Sequence, residues 1–315
     1  MLNNRSFQKL IACLFFVSLI TVFYGVTKKF DYNWSWQKVP QYFISTKPIL
    51  VSAPFDGTLK SLSKNKFEVL AQDGRTFPFE ASEKELEIEA GSELYEYDVL
   101  ASKKNTSFGA LLTGLWMTIQ ISFFAALLSL VIGLSCGLAR LSKNPIFNWP
   151  ATVYVEIIRG TPLLVQLFII YFMVGSVVGI ESRLVCGVLA LGLFGGAYSG
   201  EIIRAGIESI DKGQMEAARS LGLSHIQSMY YVIFPQMFRR SLAALGGTFI
   251  SLIKDSSLVS VMALTDLTKA GREIVSSSFM VFEIWIVVAA LYFVITFFAS
   301  ILVKKWEAKL AVGER

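Results

Sequence analysis

The chain has 315 residues, of which 54% are hydrophobic and 17% charged, with a mean hydropathy of +0.55 and a net charge of +5. A soluble domain carries about 25% charged residues, so this apolarity exceeds what one aqueous core needs and points to lipid as the main solvent. The basic excess does not read as a nucleic-acid surface. It clusters beside apolar stretches (Arg5 and Lys9, Arg140 and Lys143, Arg239 and Arg240, Lys304 and Lys305), the pattern of cytoplasmic flanks of membrane helices.

Residues 10–26 are apolar and just long enough to cross a bilayer, with Arg5 and Lys9 in front. A cleaved secretory signal has similar flanks, but no small-x-small cleavage site follows, so residues 1–26 read as an uncleaved anchor. Residues 27–105 change solvent: 11 basic and 12 acidic residues, and no long apolar run. Short alternating segments at 67–71 and 75–81 flank Asp73-Gly74, a hairpin turn signal. Asp56-Gly57 and Gly91-Ser92 punctuate further segments. The expectation is a compact β domain of roughly six strands after an extended stretch at Trp34–Tyr42. The run APFDGTL…IEAGSELYEYDVLAS weakly resembles the β-sandwich of biotinyl/lipoyl-type domains. It lacks Met-Lys-Met at a hairpin tip, so a spacer or docking role is expected rather than a swinging arm.

Further spans are predicted at about 109–138, 150–179, 184–200, 241–262 and 281–303. With the N-terminus inside, six spans place 27–105 outside and 201–240 inside. The loop at 139–149 then carries Arg140 and Lys143 with no acid, and the tail at 304–315 carries four basic and two acidic residues, both on the cytoplasmic side. Cys13, Cys136 and Cys186 lie in apolar runs, which suits packing better than disulfides. His225, the only histidine, has no ligand cluster near it, so no metal site is expected.

The segment 201–240 is too polar to span. A short helix over 213–221 should stop at Gly222, a capping box at Ser224 and Gln227 should start a second helix, and Pro235 should end it. Ala217 and Ala218 would let a partner backbone approach. An amphipathic helix lying on the lipid surface is the alternative for this stretch. Glu216-Ala217-Ala218, then Gly222, then Pro235 match the spacing of the EAA loop of ABC importer permeases. Val232 and Phe234 stand where that family usually has Ile and Leu. The stretches LLTGLWMTIQIS (111–122), IIRGTPLLVQLF (157–168), GAYSGEIIRAGI (196–207) and LIKDSSLVSVM (252–262) resemble the polar amino-acid branch, so the resemblance covers about 107–310.

The resemblance implies an all-α transmembrane bundle of the type I ABC importer permease kind, with about six spans and a small β-rich extracytoplasmic insertion. The implied division is an anchor at 1–26, a periplasmic β-rich domain at 27–105 and a permease domain at 106–310, with the coupling loop at 213–235. Typical members have no insertion like 27–105. The implied setting is the bacterial inner membrane, with 201–240 and the C-terminus cytoplasmic. Glu216, Ala217, Ala218, Gly222 and Pro235 would dock into an ABC ATPase dimer. A second permease half, identical or homologous, and an extracytoplasmic amino-acid-binding protein complete the implied partners. No phosphate loop of the form G-x-x-x-x-G-K-[ST] occurs, so ATP and Mg belong to the partner ATPase and this chain is expected to bind no cofactor.

Ionisable residues at membrane depth are candidates for function. Glu156 and Arg159, one turn apart, are expected to neutralise each other. Gly160-Thr161-Pro162 predicts a kink that serves as a hinge, as a substrate contact or only in packing, and Gln166 follows in the same stretch. Tyr198, Glu201 and Arg204 recur at helical spacing. They could present an acidic and a basic wall to an amino acid, although a Glu201–Arg204 salt bridge is the simpler expectation. Lys254, Asp255 and Ser256 form a further candidate group. Polar amino acids such as glutamine, glutamate or aspartate are the implied substrates. A membrane-anchored sensor using the β domain, and an ATP-independent transporter or channel, are the alternative functions.

Overall fold

A computed structural model describes residues 32–311 apart from 64, 83 and 84, together with scattered residues between 11 and 29. The anchor expected at 1–26 falls largely outside the described residues.

The stretch expected to be extended is instead a 3-10 helix over Trp36–Tyr42. Coiling lets buried Val39 join Leu111, Leu267, Ile274 and Ile284 in one apolar cluster, and that burial decides the local conformation. Just before it, the buried carboxylate of Glu283 accepts hydrogen bonds from the Tyr32 hydroxyl and, at 2.5 Å, from the Ser35 backbone N–H. The rings of Tyr32 and Phe282 meet edge-on at 4.6 Å.

Strand β1 (Ile44–Ser52) pairs antiparallel with β6 (Val99–Phe108), from Ile44 opposite Phe108 to Ser52 opposite Val99, making a two-stranded ribbon. Beyond it lies an antiparallel sheet of β2 (Gly57–Ser63), β3 (Lys66–Leu70), β4 (Thr76–Glu80) and β5 (Glu93–Leu94), in the order β4-β3-β2-β5. Phe67 and Val69 alternate inward along β3 and pack with Leu59, Phe79, Leu94 and Leu100. The β3–β4 turn falls at Asp73-Gly74, where the Asp73 carboxylate accepts the Arg75 N–H at 3.1 Å. At the ribbon's foot Gly109 donates its N–H to Phe43 at 2.7 Å, and a Cβ on Gly109 would collide with the Tyr42 carbonyl.

Eight helices follow: α1 (Ala110–Leu141), α2 (Pro145–Gly160), α3 (Leu163–Val178), α4 (Arg183–Glu208), α5 (Lys212–Ser220), α6 (His225–Met262), α7 (Leu267–Ser278) and α8 (Val281–Ala311). Among them α1, α4, α6 and α8 are each long and apolar enough to cross a membrane. The span expected at 150–179 is two helices, α2 and α3, bent by 111° at Thr161-Pro162. Counted as one broken span, they bring the described total to five.

Close approach of α1 and α4 sets the centre of the bundle. A Cβ on Gly133 would stand 2.6 Å from that of Ser199, and the buried hydroxyls of Ser129 and Ser199 share a hydrogen bond of 3.0 Å. Small residues and hydroxyl pairs of this kind bring helices together where lipid supplies no hydrophobic drive between them. Around this contact Ile121, Leu167, Leu191, Leu252 and Met262 form the main apolar core. Helix α7 is capped by Asp266, whose carboxylate accepts from the N–H groups of Thr268 at 3.0 Å and Lys269 at 3.1 Å. Phe293, Phe297 and Phe298 of α8 remain exposed, as a lipid-facing helix requires.

Candidate functional site

The polar segment before α6 folds into a short knob. Asp211 caps α5 by accepting the Gly213 N–H at 2.7 Å. Gly222 then takes φ +86°, a left-handed conformation that other residues reach only with strain, and Leu223 N–H returns to the Ala218 carbonyl at 3.2 Å. The expected capping box forms: Gln227 N–H donates to Ser224 Oγ at 3.3 Å, and Gln227 Oε1 accepts from Ser224 N–H at 2.9 Å. Glu216 and Ala217 are exposed, whereas Ala218 is buried and faces the protein's own interior. Leu221 and Ile226 are 84% and 80% exposed, and Tyr230 and Tyr231 stand beside them in the sequence, also exposed.

Pro235 does not end the second helix. It lies in the first turn of the α-helical stretch that begins at Phe234, directly after a π-helical turn at Met229–Ile233. The wider turn accommodates the missing N–H of proline, so the helix passes through and continues into the membrane span. The second helix of the knob is therefore one end of α6, continuous with the rest of that helix.

At the α2–α3 break the chain loses its helical ladder, and Gln166 replaces part of it. The 7% exposed Gln166 donates its amide N–H groups to the Ile158 carbonyl at 2.7 Å, the Thr161 carbonyl at 3.2 Å and Thr161 Oγ1 at 2.8 Å. Thr161 Oγ1 donates to the Ile157 carbonyl at 2.8 Å. Pro162 supplies no donor at the corner, and Gly160 is exposed with open space around its Cα. Thr161, Pro162 and Gln166 thus hold the bend.

One turn beyond Tyr198, Glu201 is the hub of a charge network. Its carboxylate accepts from Arg140 of α1 and, at 2.5 Å, from Arg204, which also binds Glu208 at 2.7 Å. The Glu201–Arg204 pair expected from spacing is present. The Glu156–Arg159 pair is not: the Arg159 guanidinium turns towards Glu201, stopping 3.9 Å from it, and lies 5.5 Å from the centre of the Tyr198 ring. Arg140, 61 residues from Glu201 in the chain, was not among the expected site residues, and only its position near a span end marked it.

Two cavities meet at Tyr198. One of about 430 Å³ lies between α4 and α6, lined by Phe194, Tyr198, Thr248, Ser251 and Asp255 among others. The second, of about 440 Å³, lies between α2 and α4 and is lined by Arg140, Glu156, Arg159, Gly160, Tyr198 and Glu201. Lys254 is exposed away from both, and Ser256 is buried with its hydroxyl donating to the Ile253 carbonyl at 2.7 Å. Of the three neighbouring candidates, only Asp255 faces a cavity. Thr248 and Ser251 also line it and carry no charge that marks them in the sequence, although 244, 248, 251 and 255 recur at helical spacing and share a face.

Residues 106–312 match the family of binding-protein-dependent transport system inner membrane components. The chain belongs to this family. Among relatives, the glutamine transport system permease protein GlnP of Escherichia coli (strain K12) is 39% identical over 64% of this chain and 93% of its own length. The L-cystine transport system permease protein TcyB of Bacillus subtilis (strain 168) is 39% identical over 65% and 88%. A crystal structure of an amino acid ABC transporter with histidines is 42% identical, covers 64% of this chain and 94% of its own, and superposes with a TM-score of 0.58. This inner-membrane component therefore has the type I permease fold over its helical part, while residues before 106 lie outside the family match.

Proposed function

We propose that the chain is the membrane-spanning permease subunit of an ATP-driven importer for a polar amino acid, with glutamine, glutamate and aspartate as the leading substrates. The observation that carries this reading is the 39% identity to a glutamine permease across nearly all of that protein's length. Two permease halves would enclose the path, and an ABC ATPase dimer, which uses ATP and Mg, would dock beneath. An extracytoplasmic binding protein would deliver the amino acid. The chain divides into an anchor at 1–26, a periplasmic β-rich insertion at 27–105 and a permease domain at 106–310. Residues 201–240 and the C-terminus face the cytoplasm, in keeping with the bias of Arg and Lys in the short loops.

In this reading Glu216, Ala217, Gly222 and the exposed apolar residues of the knob contact the ATPase. Ala218 and Pro235 shape the knob from within. ATP binding closes the ATPases, moves the knob and turns the cavity outward, and hydrolysis resets it. The α2–α3 corner at Gly160, Thr161, Pro162 and Gln166 acts as a hinge. Tyr198, Glu201, Arg159 and Asp255 line or brace the path. The test is co-purification with the ATPase and coupled uptake in proteoliposomes. Glu216→Arg and Gly222→Leu should each abolish assembly and uptake while the protein still reaches the membrane; intact coupling in both variants would refute the assignment of the knob.

A further inference from the structure

Near the hub, two opposite charges of α2 make no hydrogen bond among the described residues, and only Arg159 has an ion-pair contact, at 3.9 Å from Glu201. The oxygens of Glu201 are taken by Arg140 and Arg204. Arg159, one turn from Glu156 in α2, is 44% exposed and donates no hydrogen bond among the described residues. Glu156, also exposed, accepts no hydrogen bond and forms no ion pair among the described residues. Both line the cavity of about 440 Å³ between α2 and α4, a volume within the range of small-molecule sites. A guanidinium fork with spare donors and a free carboxylate, on one wall of one cavity, match the two charged groups of an α-amino acid.

We propose that this cavity is a second amino-acid subsite, on the release side of Tyr198, in which Arg159 takes the α-carboxylate and Glu156 the α-ammonium. The inference rests on the reading of the chain as an amino-acid permease and deepens it. Tyr198 separates the subsite from the α4–α6 cavity: its ring packs on Phe194 at 4.9 Å in that cavity and faces the Arg159 guanidinium in this one. The α4–α6 cavity extends towards the end of α6 that carries Asp255. The second lies one turn further along α4, at the charge hub near the opposite ends of the spans. An amino acid moving along α4 would meet the two in order. The subsite reads only groups common to all α-amino acids, so it holds cargo without selecting a side chain.

The test measures equilibrium binding to the complete permease–ATPase complex in nanodiscs without nucleotide. The probes are L-glutamine, its α-amide, which lacks the carboxylate, and N-acetyl-L-glutamine, which lacks the ammonium. Wild type should prefer glutamine to both derivatives by about tenfold. Arg159→Met should lose about tenfold in glutamine affinity and stop discriminating against the α-amide. Glu156→Gln should stop discriminating against the N-acetyl compound. Arg159→Lys keeps the charge without the fork and should retain selectivity at reduced affinity, which separates recognition from misfolding. Variants that rank the three compounds as wild type does would overturn the subsite, even where ATP-driven uptake is normal. A wild-type complex that drives uptake of none of the twenty amino acids would instead overturn the permease reading itself.

Discussion

In the α5–α6 knob the polar capping groups find partners within a few residues: Asp211 with Gly213, Ser224 with Gln227, and the Ala218 carbonyl with Leu223. Inside the bundle the polar groups reach much further, with Arg140 crossing to Glu201 and Tyr154 donating its hydroxyl to the Leu193 carbonyl. The two regions therefore offer different things. A knob whose helix ends are capped locally leaves apolar side chains such as Leu221 and Ile226 exposed, as the proposed docking to an ATPase requires. The bundle's polar groups hold separate helices together, and Glu156 and Arg159 keep hydrogen-bonding capacity that the proposed subsite would use, Arg159 retaining only a 3.9 Å ion pair with Glu201.

The contrast predicts where substitutions act. The largest effect should come from Glu201→Ala, which strands Arg140 and Arg204 in a partly buried network. A loss of about 3 kcal/mol is expected, because an uncompensated charge costs more than the pair contributes. Thermal unfolding of the detergent-solubilised complex would show it, and an unchanged midpoint would mean that water already screens the hub. Gln166→Leu should cost about 2 kcal/mol by freeing the Ile158 and Thr161 carbonyls. It should also slow uptake without weakening ATPase binding, since the bend and the knob are separate. Equal losses in both assays would erase the distinction between the regions. The smallest effect should be that of Ser224→Ala. Removing the capping box costs about 1 kcal/mol locally, seen as faster amide exchange at the start of α6 with little change in global stability. Faster exchange spreading along α6 into the bundle would show that the knob is not locally self-sufficient.

The sequence made the knob legible because its signals are local. Gly222, the Ser224–Gln227 box and the spacing to the EAA residues are all read within a dozen positions, and the β3–β4 hairpin at Asp73-Gly74 is of the same kind. Four of the five spans expected after residue 105 are single helices for a similar reason, since length and apolarity decide them. The misreadings have long-range causes. Pro235 fails to end its helix because the preceding turn widens. The Trp36–Tyr42 segment coils because Val39 gains a buried site among residues far along the chain. Arg159 turns from Glu156 towards Glu201 because α2 and α4 are brought together by tertiary packing. Spacing names which charges stand one turn apart, but only packing decides which of them meet.

The β1–β6 ribbon has one more consequence. Its first and last residues, Ile44 and Phe108, are cross-strand neighbours, and Gly109 is hydrogen-bonded directly to Phe43. Chain entry and exit thus coincide, within about 5.5 Å between paired Cα atoms. To the helical bundle, everything beyond that point amounts to a single long hairpin loop, and lengthening such a loop costs little entropy. A two-residue turn could replace residues 45–107 with the bundle's contacts intact, so the position is a natural graft point: an appendage can be exchanged there without redesigning the helices beneath it.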